Sequence, residues 1–122
     1  MKKNESFSLK ARGESMQYAF EGVITFFKQE HNARIHLLAT ITVIALSIIF
    51  PVSRMEVVAL TFVVGFVWVA EIFNTAIEKM MDFISVDKDD RIKKIKDLSA
   101  AAVLVAAFIA VITGCFIFIP KF

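Results

Sequence analysis

Turn-forming residues are scarce, with only four Gly and two Pro in 122 residues. No run alternates polar with apolar side chains for long enough to make a barrel strand, so a β architecture is excluded. Cysteine is scarcer still: Cys115 stands alone inside an apolar run, which rules out an intrachain disulfide and leaves the redox compartment open. Charge of one sign is also lacking. The net charge of +2 is small and dispersed, and no basic stripe carries interleaved aromatics, so nucleic acid is set aside as a partner. The phosphate-cradling loops GxxxxGK[ST] and GxGxxG are absent as well.

What is abundant is apolar surface. Hydrophobic residues make up 57% of the chain, thirteen of them Phe, and a soluble domain of this size could not hide them all. The expected solvent is a bilayer, and the expected class is an all-α membrane protein forming one domain over residues 1–122. The polar start, MKKNESFSLKARGES, has neither the apolar core nor the small-residue cleavage site of a signal peptide and is expected to be retained. Residues 1–14 are read as a polar arm. Over residues 15–30, Met16, Phe20, Val23 and Phe27 recur at i, i+4, i+7 and i+11, one stripe of an amphipathic helix. A soluble core helix would show the same stripe; the apolar segments beside it favour a helix lying on the membrane surface.

Three membrane helices are expected, over 35–50, 57–84 and 92–119. The first is closed by Pro51 and is short for a span of ~20 residues unless Arg34 and His36 sit among the headgroups. The second is uncharged only from Val57 to Ala70, so a full crossing must take in Glu71, Asn74 and Glu78. The third ends at Pro120, and its Ala102, Ala106 and Ala110 offer a smooth face for a neighbouring helix. Six Lys or Arg lie at or before Arg34 and six more between Lys79 and Lys96, against Arg54 alone in the connection PVSRM and Lys121 in the tail. The amino terminus and the second loop are therefore expected on the cytoplasmic side of the inner (plasma) membrane in a multi-pass topology.

The second span carries the anomaly. Glu71, Asn74, Glu78 and Asp82 at i, i+3, i+7 and i+11 form one helical stripe rising ~16 Å from within the inner leaflet to its cytoplasmic surface. A carboxylate as deep as Glu71 costs ~2.5 to 3.5 kcal/mol on insertion scales, so it needs partners. The basic cluster KKIKD, with Lys93, Lys94, Lys96 and Asp97, opens the third span and can supply them, and Glu30 lies at the same membrane level. Carboxylates at such a boundary suit Mg²⁺, which takes one or two of them with phosphate oxygens and water, and lysines suit phosphate as point charges. These are the parts for moving a phosphoryl group onto a lipid alcohol. An ion-paired patch fixing helix register is the plain alternative for Glu71 and Glu78. Asn74 alone could be interhelical glue. Lys93 and Lys94 serve as positive-inside charges. His31 and His36 lie five residues apart, off the spacing of a helical metal pair, and suit the interface instead. Trp68, one turn from Glu71, either walls a lipid entrance or packs.

The string EIFNTAIEKMMD resembles the signature of the small prokaryotic diacylglycerol kinase family, which includes undecaprenol kinases. IKDLSAAAVLVAAFIAVIT is similar to that family's third membrane helix, and QYAFEG and EHNARIH to its surface helix and the start of its first span. The resemblance implies a homotrimer whose active sites combine helices of more than one protomer, using ATP and Mg²⁺ at the cytoplasmic face. It implies that Glu71 is the general base for the lipid hydroxyl and that Asn74 positions groups around it. Glu30 and Glu78 would hold the metal on the ATP phosphates, Lys96 would contact those phosphates, and Asp82, Asp97, Tyr18 and Arg12 would line the nucleotide site. The EHNARIH form is closer to the undecaprenol kinase branch, while Glu21 stands where a basic residue is usual in the enterobacterial one. The alternative from another class is a small cation or proton transporter using intramembrane carboxylates.

Overall fold

Four helices and one 3₁₀ turn make up the computed structural model, which describes residues 7–122. Helix α1 (Leu9–Gln29) starts where Ser8 Oγ accepts from the Ala11 amide at 3.0 Å, satisfying a donor that the first turn leaves free. The expected surface helix began at residue 15; the cap carries helix back through residues 9–14, the last part of the polar arm. Residues 1–6 of that arm lie outside the described residues. Helix α1 stops at Glu30, whose backbone is extended and whose amide donates to the Phe26 carbonyl at 2.9 Å.

Helix α2 (Asn32–Ile49) follows after a single turn and ends at Phe50, which the ring of Pro51 holds in an extended conformation. Its start at Asn32 rather than residue 35 draws His36 fully into the helix. Helix α3 (Arg54–Ile84) opens on a reciprocal box: the Glu56 amide donates to Ser53 Oγ at 3.1 Å and the Ser53 amide to Glu56 Oε1 at 2.8 Å. That box is why the helix begins at Arg54, ahead of the expected 57. At 31 residues α3 is roughly 46 Å long, beyond the ~30 Å hydrocarbon thickness. Its last turns must therefore emerge. Helix α4 (Asp90–Phe118) is capped by Asp89, whose Oδ1 accepts from the Arg91 amide at 2.8 Å, so it starts ahead of the expected 92 and runs into a 3₁₀ turn over Ile119–Lys121.

Pairings along α3 fix the arrangement. His36, Thr40 and Leu46 of α2 meet Glu71, Trp68 and Leu60 in turn, so α2 runs antiparallel to α3. Phe118, Ser99 and Lys96 of α4 meet Leu60, Asn74 and Asp82, so α4 is antiparallel as well. Helices α2, α3 and α4 are each long and apolar enough to cross a membrane. The apolar core is small and sits at the end of the bundle away from the carboxylates: Leu60, Ile117 and Phe118, backed by Val43, Leu46, Val52 and Ala59. Ala106 is buried, but Ala102 of the same expected face is exposed. Phe62, Phe66 and Phe108 point outward, as side chains facing acyl tails or another helix do.

Candidate active site

Glu71 lies in the middle of α3 and is 2% exposed, the most enclosed large side chain among the described residues. Its Oε1 is hydrogen-bonded to His36 Nε2 at 2.5 Å, the imidazole being the donor when the carboxylate is ionised. This corrects the expectation that the lysines of KKIKD would pair with it. Those lysines sit about three turns farther along, level with Asp82 on α3: Lys93 binds Asp97 at 2.7 Å and Lys96 binds Asp82 at 2.5 Å. The other oxygen, Glu71 Oε2, is buried and has no hydrogen-bond partner among the described residues.

His36 is itself held. The Trp68 indole Nε1–H donates to Thr40 Oγ1 at 2.9 Å, and the Thr40 hydroxyl donates to the His36 carbonyl at 2.7 Å. The Trp68 ring meets the imidazole edge to face at 6.1 Å and also touches Phe26 and Phe27 of α1. Trp68 is thus a packing hub between α1, α2 and α3. It also lines a groove of about 400 Å³ that passes His36, Thr40, Val67 and Ala107 and reaches Phe118. The groove is apolar along its length and polar at the His36 end.

One turn past Glu71, Asn74 is buried and fully engaged. Ser99 Oγ donates to its Oδ1 at 2.7 Å, and its Nδ2 donates to Glu78 Oε1 at 3.3 Å. Next to it, Thr75 Oγ1 donates to Glu30 Oε2 at 3.0 Å, which ties the end of α1 to α3. Lys79 and Gln29 are joined one turn farther on. Adjacent positions of one helix therefore hold Glu78 and Glu30. Among the described residues no three His, Cys, Asp or Glu side chains converge as a self-sufficient metal cage. Two hard carboxylates are nevertheless the donor set Mg²⁺ takes when phosphate oxygens and water complete its shell. The residues present fit that group.

The remaining expected residues lie farther out. Asp82 and Lys96 form an exposed pair, and Asp97 is engaged with Lys93. The Arg12 guanidinium stacks over Phe7 at 5.7 Å, and Tyr18 is exposed on α1. Among the described residues neither is hydrogen-bonded to Glu30, Glu71 or Glu78. Sequence reasoning missed His36, Thr75 and Ser99 as partners. The signal was available for two of them: Thr75 and Ser99 are hydroxyl residues in otherwise apolar stretches, and a buried amide or carboxylate requires such donors.

The sequence is similar to those of known proteins. The model of the family "Prokaryotic diacylglycerol kinase" matches residues 17–118. The chain is 34% identical over 107 residues to a diacylglycerol kinase of Synechocystis sp., covering 87% of this chain and 61% of that protein, so it spans about three fifths of that relative. It is 32% identical over 107 residues to the undecaprenol kinase of Bacillus subtilis, covering 88% of this chain and 87% of the other. It is 31% identical over 98 residues to the diacylglycerol kinase of Escherichia coli, covering 80% of each. With an all-helical chain, a family model matched over most of its length, and relatives of both names, the protein belongs to the prokaryotic diacylglycerol kinase family.

Proposed function

We propose that this chain is an ATP-dependent lipid kinase, transferring the γ-phosphoryl group of ATP to a membrane lipid alcohol of the undecaprenol or diacylglycerol kind. Support comes from the family match and from the names of relatives that phosphorylate those two alcohols. The observation that carries the mechanism is Glu71: a carboxylate enclosed in α3, fixed through one oxygen, with the other left as an unused acceptor. A proton acceptor at that depth can meet a lipid hydroxyl but not bulk water.

Glu71 takes the proton of the hydroxyl as its oxygen attacks phosphorus. Asn74, its amide oriented by Ser99, holds Glu78 in place beside the transfer position. Glu30 and Glu78 would hold Mg²⁺, which when bound offsets charge on the ATP phosphates. Lys96 contributes a point charge toward the phosphates, and Asp82 steadies it until nucleotide arrives. Asp97, Tyr18 and Arg12 complete the nucleotide side. The reaction runs at the cytoplasmic face, with the amino terminus and the 85–89 loop on that side and α1 on the membrane surface. In this reading the chains assemble as a homotrimer; the near absence of buried surface along α2, 6% of its most apolar stretch, leaves that helix free to pack against another protomer.

Nothing in the fold favours the transporter reading. The test is a lipid-product assay in proteoliposomes with labelled ATP and Mg²⁺, run side by side with undecaprenol and with diacylglycerol. A labelled phospholipid from either alcohol is expected. No lipid product from either, together with cation flux in the absence of ATP, would overturn the proposal.

A further inference from the structure

The two oxygens of Glu71 are not equivalent. Oε1 receives the His36 Nε2–H at 2.5 Å, whereas Oε2 is buried without a partner among the described residues. A carboxylate on a flexible glutamate stem can rotate about its last bond and turn both oxygens out of line unless one is tied. His36 ties it, and the tie comes from a different helix, 35 residues away in sequence. The imidazole in turn packs against the Trp68 ring, which Thr40 anchors. Thr40 binds the His36 carbonyl and receives the Trp68 indole N–H, while the Trp68 ring lies edge to face against the imidazole. His36 and Trp68 together also form the polar end of the groove between α2, α3 and α4.

We propose that His36 is a positioning residue for phosphoryl transfer: by holding Glu71 Oε1 it reserves Oε2 as the atom that receives the lipid hydroxyl proton. The inference rests on the reading of Glu71 as the proton acceptor. In the transfer step the hydroxyl O–H bond breaks toward Oε2, the alcohol oxygen bonds to the γ-phosphorus, and the bond from that phosphorus to the bridging oxygen of ADP breaks. His36 neither gains nor loses a proton. Losing the tie leaves the acceptor present but free to turn away, and misplacement of a reacting group by about an ångström costs on the order of a hundredfold in rate.

Three substitutions separate this role from a merely structural one. Glutamine carries an amide N–H at nearly the reach of imidazole Nε2, asparagine falls short by one methylene, and leucine fills the space with no donor. Steady-state lipid phosphorylation at saturating ATP and lipid is expected to fall roughly 10- to 100-fold in kcat for His36→Leu and for His36→Asn, with the KM for ATP unchanged. His36→Gln is expected to recover kcat to within about threefold of the unsubstituted enzyme, by restoring the hydrogen bond. If the leucine protein does not fold, the asparagine and glutamine proteins, both polar, carry the comparison. Equal rates for the glutamine and asparagine proteins, or an unchanged kcat in the leucine protein, would overturn the inference. Glu71→Gln in the His36 background is the separate control. If that protein retains its rate, the base assignment fails; if it is inactive while His36→Leu is fully active, only the positioning role fails.

Discussion

Ser99 on α4 donates its hydroxyl to the Oδ1 of Asn74 on α3 at 2.7 Å, and this bond decides which way the Asn74 amide faces. With Oδ1 taken, Nδ2 is directed at Glu78. Ser99→Ala removes the orienting donor. Interhelical hydrogen bonds in membranes contribute only about 0.6 kcal/mol on average, so unfolding in detergent should change little. The kinase rate should fall about tenfold, because a rotated amide offers its oxygen to Glu78 and repels it. Thermal unfolding and lipid-product assays on one preparation check both parts.

Thr75 links α3 to the last carboxylate before α2. Thr75→Val keeps the shape and removes the hydroxyl that binds Glu30 Oε2 at 3.0 Å. Glu30 then loses its anchor to the helix that carries Glu78. The expected outcome is a severalfold higher apparent KM for the magnesium–ATP complex with kcat nearly unchanged, read from ATP titrations at fixed excess Mg²⁺. An unchanged KM would detach Glu30 from the metal.

The acidic stripe of α3 was readable from spacing alone, and its burial within the protein falls along the helix: Glu71 and Asn74 buried, Glu78 half-buried, Asp82 exposed. A periodic pattern reports the face of its own helix. It does not report what meets that face, and so the partner of Glu71 was sought among nearby lysines rather than at His36, on another helix. Imidazole suits the place because it can donate while neutral, sparing the cost of burying a second charge. Helix ends were missed for a related reason. Ser8, Ser53 and Asp89 each extend a helix beyond its apolar run, and a cap adds no hydrophobic signal. Arg12 and Tyr18 were proposed from resemblance, and the single chain leaves both on its surface.

Asp89 offers a pH test outside the spans. Hydrogen bonds from the Arg91 side chain, then its backbone amide, hold the Asp89 carboxyl down at about 2. A carboxyl lowered on folding favours the capped helix above the ordinary aspartate range. That contribution is lost as pH falls through about 2. Carboxyl-detected NMR should place the Asp89 midpoint near the lower value, with the Arg91 amide resonance moving in step. Asp89→Asn, which still caps, should remove that movement and leave α4 formed at neutral pH.

At the opposite end of the bundle, Lys121 Nζ lies 3.2 Å from both oxygens of Glu56, joining the end of the chain to the start of α3. A double-mutant cycle with Glu56→Gln and Lys121→Gln in detergent unfolding should give a small coupling, of the size usual for exposed ion pairs. Lipid phosphorylation should not respond, because the pair sits away from the carboxylate site.

Glu71→Gln keeps the size of the side chain and one oxygen that can accept from His36, and replaces the other oxygen, the proposed proton acceptor, with an amide nitrogen that cannot take a proton. The decisive measurement is single-turnover lipid phosphorylation by this protein beside the unsubstituted one, with nucleotide binding measured on both. Loss of turnover by a thousandfold or more, with nucleotide affinity intact, is the predicted result. Turnover at the unsubstituted rate would show that the hydroxyl proton goes elsewhere.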